Sequence, residues 1–349
     1  MAGPGSERAE RRATVDSVAE HAGVSRQTVS NALNAPHKLR PETLERVRKS
    51  ISDLGYRPNN AARTLRTQST RLLACRLLPS NVNGTGGVLD SFLHALCASA
   101  RDRGYDVLAF HAANDDDEIE VFHDLLQRHA VDGVVLTNTH FTDPRTHWLL
   151  ANDLPFVAFG RPWGQARPRH SWVDVDGAAG VERAVERLVE LGHRRVGFLG
   201  WPKGSGSGDD RCRGWERAME RFRLPTRGLL ARSEDGIAAG AEMAGRLLDR
   251  ARPASAIVCV SDALAVGALR AVADRGLRAG QDVSIVGFDD SPVASVVRPG
   301  LASLRQPLEA VAEKVVDALL CRLAEGRTRR VELLVPPSLV ERASLGPPT

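Results

Sequence analysis

The chain has 349 residues, 42% hydrophobic, 26% charged and 5% aromatic, a globular composition with room for two or three domains. No run approaches the about 18 apolar residues of a membrane-spanning helix, and the opening MAGPGSERAERR lacks the apolar stretch of a secretory signal, so a cytoplasmic protein with no membrane partner is expected. Residues 1–71 hold 13 Lys/Arg against 7 Asp/Glu and the remainder 34 against 36, so a polyanion partner is expected for the head alone.

Helix punctuation is dense in the head. Thr14 is placed to cap a first helix, VDSVAEHA, with Asp16 in its first turn and Gly23 to end it. Ser25 caps a second, RQTVSNALN, in which Val29, Ala32 and Leu33 form an apolar stripe and Arg26, Gln27, Ser30, Asn31 and Asn34 the polar face. Two short helices joined through GVS make a helix-turn-helix. Pro41 opens a third helix, with Leu44, Val47, Ile51 and Leu54 at three- to four-residue spacing until Gly55. The segment YRPNNAARTLR restarts after Pro58 with Asn59 as a cap, and is too short to persist as an isolated helix in water.

From Arg71 onward, apolar runs (LLACRLL, YDVLAF, DGVVLT, PFVAFG, then RVGFLG, GLLA, AIVCV, SIVGF) alternate with amphipathic segments at about 25–30 residues per unit. This is the pattern of βαβ units in two parallel sheets flanked by helices, hence two α/β lobes with a cleft between them. Ligands of such sheets sit beyond the carboxyl ends of the strands. The residues following the runs are Arg161 and Trp163, Trp201, Ser261 and Asp262, and Asp289 and Asp290, while Arg211 opens the helix after KGSGSGDD. Carboxylates and arginine pair with sugar hydroxyls and tryptophan rings stack on sugar faces, so this set suits a carbohydrate. Asp262 can equally cap the helix that follows, Trp172 can be a core aromatic, and Trp163 and Trp201 can line the cleft or simply occupy Gly/Pro-rich loops.

The run from Thr14 to Asn34, TVDSVAEHAGVSRQTVSNALN, followed by RPETLERV and LGYRPNNAARTL, resembles the headpiece and hinge of the LacI/GalR family of transcriptional regulators. The resemblance continues through VDVDGAAG, ELGHRRVGFLG, DALAVGALRAV and VGFDD, and so spans nearly the whole chain. It implies an all-α helix-turn-helix headpiece with a hinge helix, followed by a two-lobed periplasmic-binding-protein-like core. The implied divisions are a disordered tail at 1–12, the headpiece at 13–57, the hinge helix and linker at 58–70, and a core at 71–349. Within the core, lobe 1 is expected at roughly 71–170 plus 303–330 and lobe 2 at roughly 171–302 plus 331–349.

The resemblance further implies that the second helix enters the major groove, with Arg26, Gln27 and Asn31 reading bases and Thr14, Ser25, Thr28, Ser30 and Asn34 contacting phosphate or fixing position. By the same resemblance Asn59 is expected to cap the hinge, Ala62 to pack against the minor groove and Leu65 to wedge into the central base step of a near-palindromic operator bound by a homodimer. Taken singly, Arg26 is also compatible with a solvated helix position and Leu65 with an ordinary linker residue; Tyr56 reads as headpiece packing, with a phosphate contact from its hydroxyl left open.

In the core, the resemblance carries Arg211 and Asp289 as effector contacts, with Phe288 beside them in the GFDD motif. RPWG, HSWVDVDG and LGWP resemble the actinobacterial subgroup that includes regulators answering to cellobiose and other β-glucosides. The sequence departs from the family at Ser261 and Gly177, where Asn is usual, and at NVNGTGG after the first strand, which leaves ligand identity and pocket size open.

Enzyme motifs are missing: there is no GxSxG, Walker, HExxH or GxGxxG pattern. The five cysteines (Cys75, Cys97, Cys212, Cys259, Cys321) form no CxxC or Cys/His cluster, so neither cofactor nor metal is expected. The acidic run Asp115, Asp116, Asp117, Glu118 reads as a solvated helix start rather than a metal site. The combined expectation is a cytoplasmic repressor, nucleoid-associated when on its operator, that a small sugar releases from DNA. A purine or sugar phosphate acting as corepressor is the alternative, and a sugar-binding protein with no role on DNA the next.

Overall fold

The computed structural model describes residues 13–56, 69–77, 87–325 and 330–348, and the chain divides into two compact units, 1–70 and 71–349. The expected tail, Asn59, Ala62, Leu65 and residues 78–86 lie outside the described residues, as does the side chain of Asn34.

In the first unit, α1 (Val15–Ala22) begins in a reciprocal capping box: Ser17 N donates to Thr14 Oγ1 at 3.2 Å and Thr14 N to Ser17 Oγ at 2.8 Å. It ends at Gly23, whose φ of 61° a side chain would resist. Ser25 caps α2 (Arg26–Asn34) through Thr28 N at 3.1 Å, and Pro41 opens α3 (Pro41–Asp53). Val18, Ala22, Val29, Ala32, Val47 and Tyr56 make the core, which places Tyr56 in packing. Leu33 departs from the expected stripe and is 37% exposed, because the inward arc of so short a helix is filled by Val29 and Ala32.

The second unit holds two six-stranded sheets. The first comprises β1 (Leu72–Leu77), β2 (Asp106–His111), β3 (Gly133–Leu136), β4 (Phe156–Phe159), β5 (Ser171–Val175) and β11 (Glu332–Val335), in the order β11-β5-β4-β3-β1-β2. The second comprises β6 (Val196–Gly200), β7 (Leu230–Arg232), β8 (Ala256–Cys259), β9 (Ser284–Asp289), β10 (Ala302–Arg305) and β12 (Ser338–Val340), in the order β12-β10-β9-β8-β6-β7. Pairings are parallel except β10 with β12. Fully buried strands such as Gly133–Leu136 and Ala256–Cys259 are continuous apolar runs, as sheets covered on both faces require.

The lobe boundaries differ from those expected. Ser171–Val175 pairs with β4 in the first sheet, Glu332–Val335 pairs with β5 there, and Ala302–Arg305 pairs with β9 in the second. The chain therefore changes lobe at the carboxyl ends of β5, β10 and β11, next to the cleft, rather than before those strands.

The helices around the cleft and on the lobe faces are α4 (Gly87–Asp102), α5 (Asp115–Gln127), α6 (Pro144–Ala151), α7 (Gly177–Glu190), α8 (Ser207–Arg221), α9 (Ile237–Leu248), α10 (Asp262–Ala273), α11 (Pro292–Val296) and α12 (Leu308–Glu325). The acidic run at the start of α5 is only partly a solvated helix start. Asn114 is the cap, and Glu118 is buried, accepting from Arg76 and Arg145 at 2.8 Å each. Arg145, fully buried, is also forked by Asp143 at 2.9 and 2.6 Å and approached by Asp115 at 3.3 Å, while His140 Nε2 meets Asp115 at 2.7 Å.

Candidate functional site

The cleft between the sheets contains a cavity of about 440 Å³, a size suited to a small ligand. Lobe 1 contributes Asp90, Asn138, Thr139, Phe159, Arg161 and Asp174; lobe 2 contributes Trp201, Ser205, Ser207, Asp210, Arg211, Asp235 and Asp289, with Gln306 at a crossover.

Arg211 is the centre of the lobe 2 wall. It lies on the first turns of α8, its Nη1 donates to Val260 O at 2.6 Å, and its guanidinium carbon sits 3.6 Å from the Phe288 ring centroid and 5.4 Å from that of Trp201. Asp289 Oδ1 lies 3.9 Å from Arg211 Nη1 and accepts from Gln306 Nε2 at 2.6 Å. Burial pushes the Asp289 carboxyl up to about 7, with Arg211 opposing the rise and Asp262 and Asp235 adding to it. Burial also lowers Arg211 from its ordinary value, although a guanidinium remains protonated near neutrality.

Asp235, in the loop after β7, was not anticipated from the sequence. Its Oδ1 accepts from Ser261 Oγ at 2.5 Å, while Oδ2 is buried with no partner among the described residues. Arg211 Nε and Trp201 Nε1 are likewise buried without partners among the described residues. Two donors and one acceptor on residues of the lobe 2 wall are thus buried without a partner among the described residues, a costly arrangement for polar groups.

Three expected effector contacts have other roles. Ser261 is wholly buried, is not part of the cavity wall, caps α10 through Leu264 N at 3.2 Å and orients Asp235. The cap is Ser261 and not Asp262, which instead accepts from Ser291 N, Ser291 Oγ and Ser303 Oγ at 2.6–2.7 Å and ties down the turn after β9. Phe288 is buried beneath Arg211 and supports it from below. Trp163 is buried off the cavity wall, its ring 4.7 Å from the Arg161 guanidinium carbon. Trp201, by contrast, lines the cavity, and Trp172 packs at the edge of the lobe 1 core.

Arg161 does face the cavity, held between two carboxylates. Nε donates to Asp174 Oδ2 at 2.8 Å, and Nη1 and Nη2 donate to Asp210 Oδ1 and Oδ2 at 3.1 and 2.5 Å. Burial raises the Asp174 carboxyl, and the Arg161 charge and hydrogen bonds act against that rise.

On the first unit, Thr14, Ser25, Arg26 and Gln27 are exposed and Thr28, Ser30 and Asn31 half-buried. Thr14 and Ser25 serve as helix caps, and Thr28 Oγ1 lies 2.9 Å from Ser25 Oγ. Arg26 Nε meets Asp16 at 2.7 Å, an exposed pair of small worth, and Gln27 Nε2 donates to Asn31 Oδ1 at 3.0 Å. Arg26, Gln27 and Asn31 thus share one outward face of α2.

Residues 14–59 match the bacterial regulatory proteins of the lacI family, and residues 185–345 match the periplasmic binding protein-like domain. The HTH-type transcriptional regulator CelR of Thermobifida fusca is 34% identical over 344 residues, 96% of this chain and 98% of that protein. The HTH-type transcriptional repressor PurR of Photorhabdus laumondii is 27% identical, over 95% of this chain and 97% of that protein. Among solved structures, the transcriptional regulator CelR–cellobiose complex superposes with a TM-score of 0.71 at 30% identity, covering 95% of this chain and all of that one. The lac repressor dimer bound to operator and the anti-inducer ONPF superposes at 0.77 with 26% identity, covering 96% and 99%. The chain belongs to the LacI family: it is a DNA-binding transcriptional regulator with a helix-turn-helix head and a ligand-binding core.

Proposed function

We propose that this regulator is a repressor that binds a near-palindromic operator as a homodimer and is released by a neutral sugar, cellobiose or another β-glucoside, held in the cleft without being chemically changed. On this reading it acts in the cytoplasm, at the nucleoid when DNA-bound. The observation that carries the effector class is the set of unpartnered groups on the lobe 2 wall, Asp235 Oδ2, Arg211 Nε and Trp201 Nε1, beside the Trp201 ring. A hydroxyl both donates and accepts, so a polyol can satisfy all three, and the apolar face of a pyranose suits the indole.

The charge of the wall separates the sugar from its anionic alternative. Among the described residues, five aspartates and two arginines line the cavity, and both guanidinium groups already face carboxylates. A phosphate ester would meet net negative charge there, whereas hydroxyl donors meet acceptors. The solved CelR–cellobiose complex supports the β-glucoside choice by similarity. Titration calorimetry of the full-length protein against cellobiose, glucose 6-phosphate and hypoxanthine tests the reading, with operator release followed for each binder. Cellobiose should bind and free the DNA. Silence toward cellobiose together with binding of the phosphate ester or the purine would replace the sugar reading with a corepressor one.

A further inference from the structure

Arg161 emerges from β4 in lobe 1, immediately after Gly160, and its guanidinium reaches into lobe 2. Asp174, on β5 of its own lobe, takes Nε, while Asp210, on α8 of the other lobe, takes both terminal nitrogens. Asp210 is itself held, its Oδ2 accepting from Ala178 N and its Oδ1 from Arg213 Nη2, each at 3.1 Å. Thr139 Oγ1 donates to Arg161 O at 2.9 Å, which fixes the backbone that presents the arginine. All three members of the bridge are largely withdrawn from water, with side-chain exposures of 18% for Arg161, 12% for Asp174 and 5% for Asp210.

A second contact crosses between the lobes beside the first. Trp163 lies against the loop that precedes α8, so close that a Cβ on Gly206 would fall 2.9 Å from the indole ring atoms. The same indole lies under the Arg161 guanidinium. The segment from Arg161 to Trp163 therefore grips the start of α8, the helix that carries Arg211 one residue after Asp210.

We infer that Arg161 is a coupling residue: its fork on Asp210, with Trp163 seated against Gly206, clasps the two lobes and transmits occupancy of the cleft from one lobe to the other. This rests on the proposal that the effector occupies that cleft. A ligand seated on Arg211 sits beside the bridge, because Asp210 and Arg211 are adjacent on one helical turn. Any displacement of that turn must either carry the Arg161 segment, and lobe 1 with it, or break a buried bidentate pair. A guanidinium suits this role because its planar fork binds two carboxylates from two directions, which an ammonium cannot do in the same geometry.

Two readouts on the full chain test the inference. Without any effector, hydrogen–deuterium exchange of Arg161→Met is expected to rise tenfold or more at residues 160–166 and 203–212. Strand amides of β4 and β6 should stay unchanged. Unaltered exchange at both segments, or a uniform rise across both sheets, would overturn the clasp. With cellobiose as the probe, at sugar concentrations that saturate each protein, the ratio of operator affinities without and with sugar should collapse at least tenfold toward unity in Arg161→Met. Loss of cellobiose binding on the scale of Arg211→Met would make Arg161 a ligand contact instead and overturn the coupling role. If the wild type ignores cellobiose, the sugar reading fails, and the exchange experiment still decides the clasp. Should Arg161→Met not fold, Arg161→Lys keeps a charge beside Asp174 but not the fork, and the same local rise in exchange is expected; wild-type exchange in that variant would refute the inference.

Discussion

His170 is buried in lobe 1 against the ring of Phe156, and neither of its ring nitrogens has a hydrogen-bond partner among the described residues. Burial drives its pKa down to about 4, with the Asp143 charge opposing only weakly. The unfolded imidazole titrates near 6.5, so between these values the unfolded chain binds more protons than the folded one. The stability that neutral His170 preserves is present above pH about 6.5 and is lost as pH falls toward 4. His170→Leu should therefore raise the melting temperature of the core, and the gain should widen by about 2–3 kcal/mol between pH 7.5 and 4.5. A calorimetric gap that is flat with pH would show that the imidazole is hydrated. Asp289 titrates in the opposite sense. Its folded pKa of about 7 exceeds the unfolded value, so the native state holds the extra proton between about pH 4 and 7 and loses stability as pH rises through that window. Asp289→Asn, which mimics the protonated form, should melt progressively above the wild type from pH 5 to pH 8 in ligand-free protein. The sequence placed Asp289 in the site by its motif, but nothing in a single sequence announces how dry that carboxyl is.

Helices α7 and α8 approach so closely that a Cβ on Gly214 would lie 2.3 Å from Ala178 O. This contact sets the register of α8, one turn after Arg211 and Asp210. Gly214→Ala should force the helices apart, costing about 1–3 kcal/mol of stability as overpacking does, and should weaken cellobiose binding by withdrawing Arg211 from the cavity. Calorimetric melting and titration on the same sample check both; unchanged binding with lowered stability would detach the site from the helix contact. Arg211 was legible in the sequence through the resemblance, and the strands through their composition, because fully apolar runs such as AIVCV leave little alternative. Sheet membership was not. SWVDV and ASLR are short, and which sheet takes them depends on pairing with strands far off in sequence. Residues that close the cleft were missed for related reasons. Asp235 follows a three-residue strand, Gln306 follows a four-residue one, Asp174 sits within a strand rather than after it, and Asp210 was passed over beside the more familiar Arg211. Asn138 and Thr139 come just after Thr137, the residue that follows β3, within reach of the rule of reading strand ends applied to DGVVLT.

At the scale of the whole molecule, charge divides the labour. The first fifth of the chain carries all the net positive charge, while the core is slightly acidic and lines its cleft with carboxylates. Affinity for DNA should therefore come from the head and fall steeply with salt, each phosphate contact adding about 0.9 to the slope of log affinity against log salt. Specificity should come from the outward face of α2. Breaking the exposed Arg26–Asp16 pair costs little, so that pair would not hold Arg26 back from a guanine, the base expected for it. Arg26→Ala should cost about 1–3 kcal/mol on the preferred operator and relax the preference at one base position in each half-site. The salt slope should change little, since a base contact neutralises no phosphate. Selection of duplexes from a randomised pool, followed by titration at several salt concentrations, measures both quantities on one protein. A uniform loss of affinity across all sequences, with a slope smaller by about one, would instead assign Arg26 to the phosphate backbone and move the base-reading role to Gln27 and Asn31, which already lie on the same face and hydrogen-bond to one another.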